Sequence, residues 1–316
     1  MSARRRMALA AAGALLACGA EPPSYADGWS AGPALPKPIQ ELHAAVLDGD
    51  IYVAGGIEAG NRVTRDAFRL EPSGGHWIQV ASLPAPRHHM PLAVLGDSLY
   101  AVGGFGPEGM VPVGTLWLYQ RAADRWVERA PLPERRGASA AVAVGGRIVV
   151  VGGVGDGNVL LDSVAIYDPA ADRWSHGAPI PTPRDHLAAA VVSGELIAVG
   201  GRPLDPARNF AVVERYDPAT DRWTAASAMP TPRGGLGAAT IGSALHVVGG
   251  ETSTSVFEEH EVREAAVGAW RTAPPLPTPR HGLAVAAVGD RLYVIGGGPR
   301  AGLAQTAVVE IYRASP

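Results

Sequence analysis

The segments Leu276-Pro277-Thr278-Pro279-Arg280 and Leu292-Tyr293-Val294-Ile295-Gly296-Gly297 show a design that occurs six times in this chain. Each copy closes an apolar run with a Gly-Gly pair, and a proline stands 19 residues before the first glycine of each pair. Successive pairs are separated by 48, 49, 48, 49 and 47 residues, and their first glycines are Gly55, Gly103, Gly152, Gly200, Gly249 and Gly296. This fixed period indicates a repeat architecture.

Each repeat can be read as four short strands, most clearly in the fourth copy. There, an apolar run at 187–192 precedes a tight Ser-Gly-Glu turn, a second strand at 196–199 and an alternating strand at 212–216. An Asp-Pro turn then leads to a tryptophan on the outer strand. The tryptophans keep the period of the glycines: Trp29, Trp77, Trp126, Trp174, Trp223 and Trp270.

With a Gly-Gly pair, a later tyrosine and a later tryptophan at a period near 50, residues 28–316 resemble the kelch-repeat family. The resemblance implies an all-β, six-bladed kelch β-propeller of four-stranded antiparallel blades. No tryptophan follows the sixth Gly-Gly pair, whereas Trp29 precedes the first repeat. We therefore expect Trp29 to Gly32 to form the outer strand of the last blade, beside Val308 to Tyr312, and so to close the ring. A propeller hosts many functions, so the fold alone defines none.

The N-terminal residues predict export. Residues 1–17 carry three arginines and then a small-residue apolar run too short to span a bilayer, which is typical of a signal peptide. The run ends in Leu15-Leu16-Ala17-Cys18-Gly19, which looks like a bacterial lipobox, and Cys18 is the sole cysteine. We predict lipid attachment at Cys18, a tether over 18–27, and a location in the cell envelope, either anchored to the outer membrane or periplasmic. The alternative is a plain signal peptide with an incidental cysteine.

The net charge of the chain limits the class of partner that it can bind. The chain has 27 basic and 30 acidic side chains, and removing the signal peptide with its three arginines lowers the formal charge from −3 to −6. A nucleic-acid partner is not expected, because phosphate binding needs a positive field. The partner is otherwise open between a protein and a glycan, and we expect a monomer.

The site is expected on one face of the propeller. The loops after the Gly-Gly pairs and the connections between blades open on that face, and these loops vary in length and content. The connections carry one arginine per copy in five copies, at Arg87, Arg136, Arg184, Arg233 and Arg280. This column either binds an anionic ligand or pairs with an acidic group or a carbonyl of the neighbouring blade.

Residues that do not follow the repeat are the better candidates for specificity: His89, Asp185, His186, Arg202, Asp205, Arg208, Glu251 and His281. No catalytic residue is assigned, and no cofactor is expected. The histidines lack the close spacing of metal motifs, so no metal site is predicted, although a propeller can assemble ligands across blades. Copper chemistry of the galactose-oxidase type needs a cysteine joined to a tyrosine within the propeller. The sole cysteine, Cys18, precedes the propeller, so this chemistry is not expected.

Two functions remain open. The first is a non-enzymatic binding or scaffold module at the envelope. The second is a cofactor-free sugar mutarotase resembling the bacterial N-acetylneuraminate epimerases, which would use histidine, glutamate and arginine groups. An enzyme predicts such groups converging at the channel mouth. A protein-binding propeller predicts exposed apolar side chains on the loop face, around Phe105, Met110, Val111 or Phe210.

Overall fold

A computed structural model describes residues 28–265 and 267–314 of the 316-residue chain. The predicted signal peptide, the tether and Cys18 lie outside these residues. The regular secondary structure of the described chain is almost entirely β-strand, and the main strands form six four-stranded antiparallel sheets, which are the predicted blades. No helix within these residues has the length and apolar character needed to cross a membrane.

In blades 1 to 5 the four strands follow the order of the chain, and in blade 6 only the three inner strands do. Small apolar residues favour the innermost position, next to the axis. The innermost strands of blades 1 to 6 are His43–Leu47, Leu92–Leu95, Ala140–Val144, Ala188–Val192, Gly237–Ile241 and Ala284–Val288. The second strands are Asp50–Ala54, Ser98–Val102, Arg147–Val151, Glu195–Val199, Ala244–Val248 and Arg291–Ile295. The third strands are Ala67–Glu71, Leu116–Gln120, Val164–Asp168, Val213–Asp217, His260–Glu264 and Val309–Arg313.

The outer strands are partly exposed. They are His76–Val80, Arg125–Arg129, Arg173–Gly177, Arg222–Ala225, Trp270–Thr272 and, in blade 6, Trp29–Ala31. Trp29 lies opposite Tyr312 in this last sheet, at the expected position beside the final strand of the chain. Trp29–Ala31 thus supplies the fourth strand of blade 6, and the other three strands come from the last part of the chain.

Minor elements belong to the loops. One small sheet joins Ile39–Gln40, Ile57–Glu58 and Arg62–Val63, and a second pairs Val154–Gly155 with Val159–Leu160. Short 3-10 turns lie at Ala59–Asn61 and Arg121–Ala123.

Hydrophobic cores fill the space between adjacent blades. Successive clusters join blades 1 and 2 through to blades 5 and 6, and a further cluster packs Ile51 and Val53 of blade 1 against Tyr293 and Ile295 of blade 6. Each of the six tryptophans that follow the repeat also donates its indole N–H to a carbonyl at the end of the preceding blade, as Trp223 Nε1 does to Ala178 O at 2.9 Å. Trp29 makes the equivalent bond to Pro274 O at 3.0 Å. Buried indole groups therefore join blades by packing and by a satisfied donor.

The Gly-Gly pairs have a structural role. At Gly249, φ is +65°, and a Cβ would lie 2.5 Å from Arg280 O of the next blade. The following N–H, of Gly250, donates to the same carbonyl at 3.0 Å. Only glycine combines this left-handed backbone with so close an approach.

Candidate functional site

The mouth of the channel on the loop face is closed by a ring of six backbone hydrogen bonds. One residue per blade, two positions after the arginine column, donates its N–H to the carbonyl of the corresponding residue in the adjacent blade at 2.7–3.2 Å. All six have left-handed backbones, with φ between 50° and 66°. The residues of this axial ring are Glu41, His89, Ala138, His186, Gly235 and Gly282.

Three members of the axial ring carry functional side chains, and these converge on the axis. Ligand atoms of Glu41, His89 and His186 all lie within 4.8 Å of one another. Leucines that follow the ring residues, such as Leu42 and Leu187, line the cavity, which holds about 30 Å³ of space. A water molecule occupies a similar volume, so the cavity within the ring admits one small guest and not a sugar.

A chain of hydrogen bonds fixes the orientation of His89. Its Nε2 lies 2.9 Å from Glu41 Oε2, and its Nδ1 lies 2.6 Å from His88 Nδ1. His88 Nε2 in turn lies 3.2 Å from Gly109 O, in the loop of blade 2. All three side chains are buried, so these contacts hold the imidazole of His89 toward the axis.

His186 is held by its own neighbour. Its Nδ1 lies 2.6 Å from Asp185 Oδ2, while Asp185 Oδ1 accepts the N–H of Leu204 at 2.9 Å. Arg202 Nε approaches Asp185 at 3.8 Å, and its Nη1 donates to Glu251 Oε1 at 2.8 Å. The network therefore runs from the axis through two blades.

His281 completes the cluster between blades 5 and 6. Its Nε2 contacts Gly302 O at 2.9 Å. Its Nδ1 lies 3.4 Å from Glu41 Oε1 and 3.3 Å from Glu251 Oε2, within ion-pair range but without hydrogen-bond geometry to either. The side chain is 2% exposed. We call Glu41, His89, Asp185, His186, Arg202, Glu251 and His281 the axial cluster.

The cluster perturbs the ionisation of its members. Burial would raise the pKa of Glu41, but the charges of His89 and His281 and the contact with His89 Nε2 hold this pKa well below its usual range. Burial opposes protonation of His281, yet contacts with Glu41 and the charge of Glu251 raise its pKa. Burial and the charge of Arg202 lower the pKa of His186. Groups with such different proton affinities in one place are typical of functional sites.

The arginine column is not part of the axial cluster. Arg136, Arg184, Arg233 and Arg280 are fully buried inside their blades. Arg184 donates to Gly200 O at 2.7 Å and to Glu214 Oε2 at 2.5 Å, while Arg87 stacks 4.9 Å from the Trp117 ring centre. Each acidic partner belongs to the arginine's own blade, and not to the neighbouring blade as the structural alternative supposed. This geometry supports a packing role for the column and gives no positive funnel.

Of the eight irregular candidates, the structure brings six together in the axial cluster: His89, Asp185, His186, Arg202, Glu251 and His281. The other two, Asp205 and Arg208, and the five arginines of the column lie outside the cluster. Arg208 is exposed on the blade 4 loop, where its N–H bonds Asp205 O. Sequence reasoning missed Glu41 and His88. Superposing the six repeats at the arginine position, where the first copy has Ile39, would have placed Glu41 in register with His89 and His186.

Comparison with known proteins identifies the family. A model described as the KLHDC2/KLHL20/DRC7 Kelch-repeats domain matches residues 30–201, and a Kelch motif model matches residues 183–230. The chain therefore belongs to the kelch-repeat family.

Individual relatives are similar over part of the chain. Human Kelch-like protein 35 is 33% identical over 137 residues, which cover 43% of this chain and 22% of that protein. Beta-scruin of Limulus polyphemus is 31% identical over 134 residues, covering 40% and 14% respectively. The matched stretch thus spans less than a quarter of either relative. A solved structure titled "Structure of YjhT" superposes with a TM-score of 0.76 at 16% identity, covering 89% of this chain and 96% of that chain, which shows a shared fold.

Proposed function

We propose that this chain is an envelope-anchored binding module that engages a protein partner through the loop face of its propeller. The observation that carries this proposal is the position of the exposed apolar side chains. Of the seven large exposed apolar residues in the described part of the chain, five lie on loops that follow Gly-Gly pairs: Met110, Val111, Val159, Leu204 and Leu303. Apolar side chains gathered on one face of a soluble domain mark an interaction surface.

The chemistry of this face favours a protein over a glycan. Met110 and Val111 are 52% and 54% exposed, and Leu303 is 58% exposed, whereas Phe105 is fully buried. These aliphatic groups offer no hydrogen bonds to sugar hydroxyls, and burying hydroxyls without partners is costly. A protein partner gains from covering them in proportion to the apolar area removed from water.

The fold also sets the orientation of an anchored module. Gly28 accepts the N–H of Arg313, and the next N–H, of Ala314, bonds Asp290 O in a tight turn on the face opposite the loops. Residue 28 therefore lies on the turn face. A lipid at Cys18 with a tether of about ten residues would keep the turn face within about 35 Å of the membrane. The loop face would then point away from that membrane, toward a partner.

Site-specific photocrosslinking tests this proposal in cells that express the chain. A photoreactive residue is placed at Met110, at Leu303 or, as the matched control, at Val267, which is 74% exposed in the turn between the last two strands of blade 5. We expect the same adduct from Met110 and Leu303 and none from Val267. Adducts from Val267 alone, or equal labelling from all three, would contradict a partner on the loop face.

The axial cluster favours a second candidate, a cofactor-free sugar mutarotase. Glutamate, histidine and arginine groups converge at the channel mouth, which is what acid–base ring opening of a hemiketal requires. The substrate would lie above the ring, since the cavity inside it is too small. Proton NMR of freshly dissolved α-N-acetylneuraminic acid tests this candidate. It predicts faster conversion to the β-anomer and loss of the acceleration in His281→Ala, and a rate equal to buffer contradicts it.

A further inference from the structure

We propose that Glu41, His89 and His186 of the axial ring bind one divalent first-row transition-metal ion. Two imidazoles and one carboxylate, supplied by three blades, point to one place on the propeller axis. Three protein ligands of this kind, with further positions left to water or a ligand, form a common transition-metal site. The proposal goes beyond the binding function above and does not depend on it.

The hydrogen bonds of His89 leave its Nε2 as the ligand atom. The carbonyl of Gly109 accepts a hydrogen bond, so His88 Nε2 carries the proton that lies between them. An imidazole with its proton on Nε2 offers Nδ1 as an acceptor, so His89 Nδ1 donates to His88 Nδ1 across 2.6 Å. The Nε2 of His89 is then left to face Glu41 Oε2, 2.9 Å away.

Two electron-rich atoms at that distance need a cation between or beside them. A divalent ion bound to both atoms would meet that need.

His186 is oriented in the way that metal-bound histidines usually are. Asp185 Oδ2 accepts from its Nδ1 at 2.6 Å, which leaves Nε2 for the axis. Such a carboxylate–histidine pair fixes the tautomer and raises the basicity of the ligating nitrogen. Asp185 is itself held by the N–H of Leu204 and by Arg202, so the pair is rigid.

Space and charge both suit a small cation. The ligand atoms lie within 4.8 Å of one another, and a tetrahedral ion with bonds of about 2.1 Å needs them about 3.4 Å apart. The cavity of about 30 Å³ is of the size of one water molecule. Three carboxylates, those of Glu41, Asp185 and Glu251, lie around it together with one arginine, Arg202.

A further buried atom points into the same region. His281 Nδ1 has no hydrogen-bond partner, although its side chain is 2% exposed and lies 3.4 Å from Glu41 Oε1. Because its Nε2 is engaged with the carbonyl of Gly302, this nitrogen faces the carboxylate that would hold the ion. We assign His281 a positioning role toward Glu41.

Calorimetric titration with Zn²⁺ tests the site, using the full chain with Cys18→Ser so that the thiol takes no zinc. We expect one ion per chain. His186→Ala should weaken binding at least 100-fold, and Asp185→Asn should weaken it 10- to 100-fold through loss of the orienting carboxylate. His176→Ala, at an exposed histidine on the outer strand of blade 3, is the matched control and should bind as the parent does.

A gain-of-ligand variant keeps the test decisive if His186→Ala does not fold. Ala138 lies between His89 and His186 in the axial ring, with φ of 52° against 50° and 51° for those histidines. Ala138→His thus adds an imidazole where the backbone already suits one, and affinity should rise at least 10-fold. The proposal is overturned if the parent chain takes no zinc, if a folded His186→Ala binds within twofold of the parent, or if Ala138→His leaves the affinity unchanged.

Discussion

The arginine column can be tested for its role in stabilising the blades. Arg184 is the member with the most clearly defined contacts. Its side chain is fully buried and donates to Glu214 Oε2, Gly200 O and Thr182 O at 2.5–2.7 Å. Arg184→Met keeps the volume of the stem but leaves Glu214, 6% exposed, with Thr182 Oγ1 as its remaining partner in the blade.

Breaking a buried pair in this way strands a charge and costs about 3–5 kcal/mol of unfolding free energy. The double variant Arg184→Met/Glu214→Leu removes both charges, so we expect it to lose less stability than Arg184→Met alone. Arg135→Met is the control, because Arg135 pairs with Asp156 at 2.9 Å while both are more than half exposed. That change should cost at most about 1 kcal/mol.

Urea denaturation followed by tryptophan fluorescence gives all three free energies. If Arg184→Met unfolds within about 1 kcal/mol of the parent, the arginine does not stabilise the blade, and the column is free to serve a ligand. A double variant that is less stable than Arg184→Met would equally refute the reasoning from a stranded carboxylate.

Three further predictions concern the scaffold. Gly249→Ala should lower the unfolding free energy by about 3 kcal/mol or more, because the added Cβ would lie 2.5 Å from a carbonyl oxygen. Gly242→Ala is the control, at φ +59° with open space around the added Cβ, and it should cost about 1 kcal/mol in the same urea assay. Burial lowers the pKa of His246 to about 4 and of His260 to about 3, from 6.5. The unfolded chain therefore binds protons first at these two histidines, so their contribution to the unfolding free energy should be constant above about pH 6.5 and fall toward pH 4, with a shallower fall in His246→Phe. Trp223→Phe should cost about 1–2 kcal/mol through loss of the 2.9 Å indole bond, measured as a lower urea midpoint.

The repeat made most of the fold predictable. A proline, a Gly-Gly pair and a tryptophan at fixed offsets each meet a local demand: an extended connection, a positive φ beside another chain, and a large packing surface with one donor. Because these demands recur in every blade, six coincident copies identify the blades. Because no tryptophan follows the sixth Gly-Gly pair, the last blade needed one from elsewhere, and this placed Trp29 beside Tyr312.

The site was predictable only in part. Irregular residues in the loops and connections stood out, and His89, His186 and Glu251 do meet at the mouth. Glu41 did not stand out, because the first copy has Ile39 in place of the arginine by which the other copies are aligned. The direction of the arginines was also hidden, since an arginine that enters its own blade and one that faces the channel have the same spacing. Which of the two occurs is set by Glu214 and its equivalents, some 30 residues away.

The metal ligands show the same limit more sharply. Glu41, His89 and His186 are separated by 48 and 97 residues, so no local spacing could place them together. They converge because left-handed residues of all six blades form one hydrogen-bonded ring on the axis.

Both the closed channel mouth and the convergence of the axial cluster depend on the axial ring of hydrogen bonds. Amide hydrogen exchange tests directly whether this ring exists. The N–H groups of the six axial-ring residues lie in connections between blades, where exchange is normally fast. If the ring of bonds at 2.7–3.2 Å exists, all six should exchange as slowly as the second strands, near the rate of global unfolding. Exchange of these six amides at the rate of the exposed loops, with the second strands still protected, would contradict a closed mouth.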